Sequence, residues 1–231
     1  MPVIRDLPLT LGFDEMLRRQ GLADRKRVSP RLMDRLRELI ESVHHQHLLE
    51  PAIAYESYPI LEAQHDRLYL KGGMVFHSRL LAKALIAAKE LAVAVCTIGP
   101  HLEKKVTDDF AQNEVFRATL LDGIGSAAVD HLSREACHLI RQEAGSRDYD
   151  ASSPFSPGMQ GLPISDQWVI CSSAQAEQIG VHLTSSAMLV PRKSASMVIG
   201  LGERLPTWTQ VEACQICNLK AICRHRIQSR R

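Results

Sequence analysis

Apolar residues recur with helical spacing over residues 30–50. Leu32, Met33, Leu36, Leu39, Ile40 and Val43 share one face of a helix. Ser29 suits the N-cap and Pro30 the first turn, and Pro51 ends the element. Residues 53–70 read as short strands, with β-branched and aromatic residues between turn formers, and Gly72-Gly73 reads as a turn. Ser78 is placed to cap a helix running to about Ala88. The uninterrupted apolar run from Leu91 to Ile98 fits a buried strand closed by Gly99-Pro100. Helices follow over His101–Phe110 and over about 114–144, where Leu120, Leu121, Ile124, Val129, Leu132 and Leu139 are core candidates.

Residues 145–163 break this rhythm. Serine, proline and glycine dominate them and predict a long loop, a type of segment that often carries function. A helix over 165–178 and strands near 180–184 and 195–201 complete the reading. The order is not a regular strand–helix alternation, and no repeat is apparent. It predicts an α+β fold with a central twisted, largely antiparallel sheet flanked by helices.

Composition narrows the class. The 231 residues are 45% hydrophobic and 23% charged, as expected of a folded, water-soluble chain. Basic and acidic residues number 28 and 26, so the net charge of +2 argues against broad binding to nucleic acid. Aromatics at 5% leave no stacking platform for sugars or single strands. No apolar run approaches the roughly 20 residues of a membrane span, and Met1–Thr10 lacks a signal-peptide core. The expectation is a cytoplasmic protein with no membrane or nucleic-acid partner.

The sharpest chemical signal is Cys214-Gln-Ile-Cys217 followed by Cys223. Two cysteines three apart converge their sulfurs on one ion, and a third thiolate soon after makes a three-ligand nest for an iron–sulfur cluster or zinc. His225 would complete a Cys3His zinc set, while a distant cysteine or an outside ligand would complete a [4Fe–4S] site. Lys220, Arg224 and Arg226 would offset the thiolate charge. The alternative is a set of structural thiols. Cys96 and Cys171 stand in apolar stretches and read as small core residues, and Cys137 gives no distinct signal.

Other motifs read as structure. Gly123-Ile-Gly125-Ser-Ala-Ala128 matches a dinucleotide-binding pattern, but helical sequence precedes it, so its small residues point to close helix packing. His44, His45 and His47 fit a solvated helix end. No P-loop or nucleophile elbow occurs.

Several segments together resemble the activation domain of vitamin B12-dependent methionine synthase, particularly its free-standing relatives. They are Thr97-Ile-Gly-Pro-His-Leu-Glu103, Leu121-Asp-Gly-Ile-Gly-Ser126, Ser156-Pro-Gly158, Ile179-Gly-Val-His-Leu-Thr184, Met188-Leu-Val-Pro191 and Arg192-Lys-Ser-Ala-Ser196. The resemblance covers roughly residues 10–205. It implies a C-shaped α+β domain that binds S-adenosylmethionine and docks on a corrinoid-carrying partner. There it supports reductive remethylation of cobalt, with the electron supplied by a separate redox protein. The cobalamin would sit on the partner.

By the same resemblance, Asp130, Ser156, Gly158 and Thr184 fall at ligand-binding positions. The family pattern of arginine, a small residue and Pro-Gly-Tyr becomes Pro154, Ser156, Pro157, Gly158 and Met159 here, so the arginine and the tyrosine are absent. A lost guanidinium forfeits about 1.5–3 kcal/mol of charge-assisted hydrogen bonding. The family's Leu-Thr-Glu-Ser becomes Leu183-Thr184-Ser185-Ser186. Residues 206–231, with Cys214, Cys217 and Cys223, lie beyond the match as an added tail. The sequence thus points to an accessory, activation-type subunit of a corrinoid methyltransferase whose tail delivers an electron through a cluster. The alternative is a non-catalytic ligand-binding or corrinoid-protein scaffold with a structural zinc tail.

Overall fold

A computed structural model of the chain describes residues 3–5, 7–9, 13, 16, 17, 28–159, 161–216 and 221. The described strands are β1 (Val3–Arg5), β2 (Ala52–Gln64), β3 (Arg67–Leu70), β4 (Val75–Phe76), β5 (Ala88–Thr97), β6 (Asp150–Ala151), β7 (His182–Leu183), β8 (Leu189–Val190) and β9 (Ser194–Gly202). The described α-helices are α1 (Pro30–His45), α2 (Arg79–Ala84), α3 (His101–Ala111), α4 (Val115–Gly145), α5 (Gln167–Ser173) and α6 (Gln210–Ile216). Seven strands form one antiparallel sheet in the order β4-β3-β2-β5-β9-β6, with β1 pairing along β2, while β7 and β8 form a separate hairpin. The sheet curls into a half-barrel flanked by helices, as the α+β reading expected.

β5 organises the interior. It pairs with β2 from Ala52↔Thr97 to Pro59↔Glu90, and with β9 from Thr97↔Ser194 to Ala88↔Gly202. Its side chains alternate between two cores: Leu91, Val93 and Val95 face one, and Ala92, Ala94 and Cys96 face the other. Burial on both faces explains the unbroken apolar run. The small side chains face α1, α3 and α4, and α4 answers with Ala118, Ala127, Ala128 and Ala136.

The predicted caps hold. Leu32 N–H donates to Ser29 Oγ at 3.3 Å, and Leu81 N–H donates to Ser78 Oγ at 3.1 Å. The dinucleotide-like motif lies inside the 31-residue α4, away from any helix N-terminus. A methyl group added at Gly125 would stand 2.7 Å from Leu102 Cδ2 on α3, so glycine here permits the close approach of the two helices. His44, His45 and His47 are exposed at the end of α1.

Several boundaries differ from the sequence reading. The helix capped by Ser78 ends at Ala84, because β5 already begins at Ala88. The short strands of 53–70 are one 13-residue strand and a hairpin partner. The helix expected over 165–178 is three pieces: a 3-10 turn over Ile164–Asp166, then α5, then a second 3-10 turn over Ala176–Ile179. Gln175, at φ +48°, makes the second break. The 145–163 loop contributes β6 and an isolated bridge from Phe155 to Val198.

Candidate functional site

The loop after β6 is fastened to the sheet before it opens into a cleft. Ser152 N–H donates to Gly200 O and Gly200 N–H donates to Ser152 Oγ, both at 2.9 Å. Phe155 exchanges backbone hydrogen bonds with Val198 at 2.9 and 2.8 Å. Ser153 reaches the C-terminal segment. Its N–H donates to Pro206 O at 3.1 Å, its hydroxyl donates to Trp208 O at 3.1 Å and accepts from Trp208 N–H at 2.8 Å. The Trp208 ring meets Phe155 edge-on, with centroids 4.8 Å apart.

Beyond Phe155 the chain turns back on itself. Ser156 N–H donates to Met159 Sδ at 3.2 Å, and Gly158 N–H donates to Leu162 O at 2.9 Å. Gly158 sits at φ +90°, where a side chain would be strained. Ser78 Oγ donates to Gly161 O at 2.6 Å and ties the turn to the start of α2. Gly158, Met159, Gly161, Leu162, Pro163 and Ile164 line an open cleft of about 390 Å³. A larger hollow, about 780 Å³, lies between α1 and Phe116. Its rim is solvent-facing helix surface, including the Arg35–Glu38 pair at 2.9 Å, and none of the predicted ligand positions is among its described lining residues.

Buried polar groups support the cleft from below. Gln167 Nε2 donates to Ala187 O at 2.7 Å and Ser196 Oγ donates to Gln167 Oε1 at 3.0 Å, which links α5, the β7–β8 turn and β9. Thr184 Oγ1 accepts from Met188 N–H at 3.1 Å within that turn. Asp166 is only 4% exposed, and its Oδ2 has no hydrogen-bond partner. Burial raises its pKa, and the charge and backbone N–H of His77 oppose the rise.

Of the ligand positions taken from the family resemblance, Ser156 and Gly158 share one loop and Gly158 lines the cleft. Thr184 lies in the β7–β8 turn. Asp130 lies on α4, whose apolar side chains belong to the core on the opposite face of the sheet.

Sequence reasoning missed two charged clusters. Asp109, fully buried, pairs with Lys105 at 2.8 Å and Arg117 at 3.2 Å. Lys193 pairs with Asp122 at 2.7 Å and donates to Ser126 Oγ at 2.9 Å, pinning the start of β9 to α4. The i, i+4 spacing of Lys105 and Asp109 was a readable signal, whereas Lys193 meets α4 only through the fold.

The isolated cysteines behave as core thiols. Cys96 is fully buried beside Ser133, and burial pushes its pKa up to about 11. Burial does the same to Cys171, also to about 11. Cys214 is half-buried on α6, while Cys217 and Cys223 lie outside the described residues. Among the described residues, no three His, Cys, Asp or Glu side chains converge on a metal position. No described helix is long and apolar enough to cross a membrane.

No family model matches this sequence, and no curated protein matches it. Among solved structures, the chain is similar to the MetH reactivation domain crystallised with AdoHcy. The TM-score is 0.67 at 12% identity, over 93% of this chain and 84% of that one. This is the reactivation-domain fold. The likeness carries the curled antiparallel sheet and its flanking helices, and it agrees with the architecture implied by the sequence segments above.

Proposed function

We propose that this chain is an accessory protein for a corrinoid-dependent methyltransferase and acts in reductive reactivation of the partner's cobalt centre. The observation that carries the reading is the 93% overlap with a reactivation domain solved with AdoHcy. The sequence segments that resemble the same family support it independently. In this reading the loop with Ser156 and Gly158 holds an S-adenosylmethionine-class ligand, and Thr184 borders it from the β7–β8 turn. Asp130 belongs to the set through the resemblance alone. Residues 1–205 form the activation-domain-like body, fastened to the tail through Pro206 and Trp208.

The finer part of the proposal concerns the tail. Cys214, Cys217 and Cys223 hold a [4Fe–4S] cluster, which would supply a single electron when present, and a separate donor protein reloads it. This rests on the C-x2-C-x5-C spacing. A second reading, a structural zinc tail on a non-catalytic scaffold, is favoured by the way Ser153 and Phe155 clasp Trp208 against the body.

Two measurements test the proposal. Calorimetric titration with S-adenosylmethionine and S-adenosylhomocysteine should show saturable binding, and its absence would remove the ligand reading. Anaerobically purified protein should carry iron and sulfide, and Cys→Ser changes at 214, 217 and 223 should each lower iron while Cys96→Ser leaves it unchanged. Stoichiometric zinc without iron or sulfide would replace the electron-delivery role with the structural one.

A further inference from the structure

The two halves of the proposed ligand site come from distant parts of the chain, yet both take their position from β9. Val198 exchanges backbone hydrogen bonds with Phe155 and so fixes the root of the loop that carries Ser156 and Gly158. Ser196 stands two residues earlier on the same face of the strand. Its hydroxyl donates to Gln167 Oε1 at 3.0 Å, and Gln167 Nε2 donates to Ala187 O at 2.7 Å in the turn that follows Thr184. Gln167 and Ser196 are each 5% exposed, so this relay runs beneath the surface. The turn it reaches is strained. Thr184 N–H donates to Met188 O at 2.9 Å, which leaves a three-residue loop of Ser185, Ser186 and Ala187 between β7 and β8. Ala187 N–H donates to Thr184 O at 2.9 Å, and Ala187 stands at φ +60°. A three-residue hairpin loop of this kind puts its last residue in the left-handed region, where glycine is customary. Alanine meets a steric penalty there that glycine escapes. In the same conformation Thr184 Oγ1 lies 3.0 Å from Ser186 Oγ and accepts from Met188 N–H at 3.1 Å. Ala187 is buried while Ser186 is exposed, so the turn is gripped from inside and shows hydroxyls outside.

We propose that Gln167 is a positioning residue for ligand binding: its amide holds Ala187 in the left-handed conformation and thereby sets Thr184 against the Ser156–Gly158 loop. The inference rests on the ligand reading above, in which Thr184 borders that loop. Without the grip on Ala187 O, an alanine turn relaxes to other conformers, and a ligand must first select the native one. The penalty of left-handed alanine corresponds to about fivefold to thirtyfold in that population. Glycine at position 187 adopts the same φ without the penalty and makes the turn independent of Gln167.

Isothermal titration of the full chain with S-adenosylhomocysteine tests this. Gln167→Met, of similar volume and without the amide, should weaken binding by about tenfold. Ala187→Gly alone should stay within about threefold of the unmodified protein, and the double variant Gln167→Met with Ala187→Gly should return to that range. A residue that only supports the fold would lower the unfolding temperature of Gln167→Met and leave its affinity, measured well below that temperature, untouched. That result would overturn the inference and leave the ligand reading standing. Weakened binding that Ala187→Gly does not restore would overturn it as well. No saturable binding to the unmodified protein would overturn the inference and the ligand reading together. If Gln167→Met does not fold, Ser196→Ala decides the matter. It frees the strand end of the relay and should weaken binding by about threefold, and unchanged affinity there would overturn the inference.

Discussion

On one face of the sheet, α1, α3 and α4 bury long apolar stripes against Ala92, Ala94 and Cys96, and the charged groups there, Asp109 with Lys105 and Arg117, tie one helix to the next. On the other face the described α-helices, α2 and α5, have six and seven residues. Side-chain hydrogen bonds from Ser78, Ser152, Ser153, Gln167 and Ser196 hold the segments together. Both faces exclude water. The first derives its order from regular helices, whereas the second derives it from particular polar contacts between irregular segments. Such contacts can be rearranged with little disturbance to the rest of the fold, and the cleft lies among them.

The largest expected effect contrasts two core truncations. Phe155→Ala and Leu132→Ala should each cost about 3–5 and 2–5 kcal/mol respectively in urea unfolding. Only Phe155→Ala should also speed limited proteolysis after Trp208, because Phe155 alone of the two touches that ring. Equal proteolysis in both variants would break the distinction between the faces. Next, Asp109→Ala should cost about 2–3 kcal/mol. This is less than the roughly 3–5 of a fully enclosed pair, since Lys105 and Arg117 are partly exposed and can turn to water.

Gln167→Leu should cost about 1–3 kcal/mol by leaving Ala187 O and Ser196 Oγ without their partner. Hydrogen exchange should quicken across residues 184–188 and stay unchanged in α4. The smallest effect tests Asp166. Its raised pKa means that the folded state holds the proton more tightly than the unfolded chain. Its contribution is therefore complete below the ordinary aspartate range, near pH 4, and is lost as pH rises through the folded-state value. Asp166→Asn should thus stabilise the protein at neutral pH by less than about 1 kcal/mol and flatten that fall in stability, as read from unfolding curves across pH.

The same contrast explains what the sequence could convey. The periodicity of Leu120, Leu121, Ile124 and Leu132 announces α4, and two-sided burial announces β5, because both patterns are local. The break at Gln175, the two-residue strand β8, and β4 owe their form to distant partners such as Gln167 and Leu68, whereas β7 falls within the strand expected near 180–184. Of the cleft, Gly158, Gly161 and Pro163 were legible as a loop with special backbone demands. The roles of Ile164 and Asp166 were hidden in what read as an ordinary helix start, and Ser78 was legible only as a cap, although it also holds Gly161.

The Ser153–Trp208 clasp makes the C-terminal segment a handle. Three hydrogen bonds join residues 206–208 to Ser153, and two residues further along Phe155 is riveted to Val198 in the sheet. A pull on the tail is therefore delivered crosswise to β9, through the root of the loop that carries Ser156 and Gly158. For that loop to shift, it must either shed those three bonds or carry the tail with it. Whatever grips residues 206–208 thereby sets how stiffly the mouth of the cleft is held.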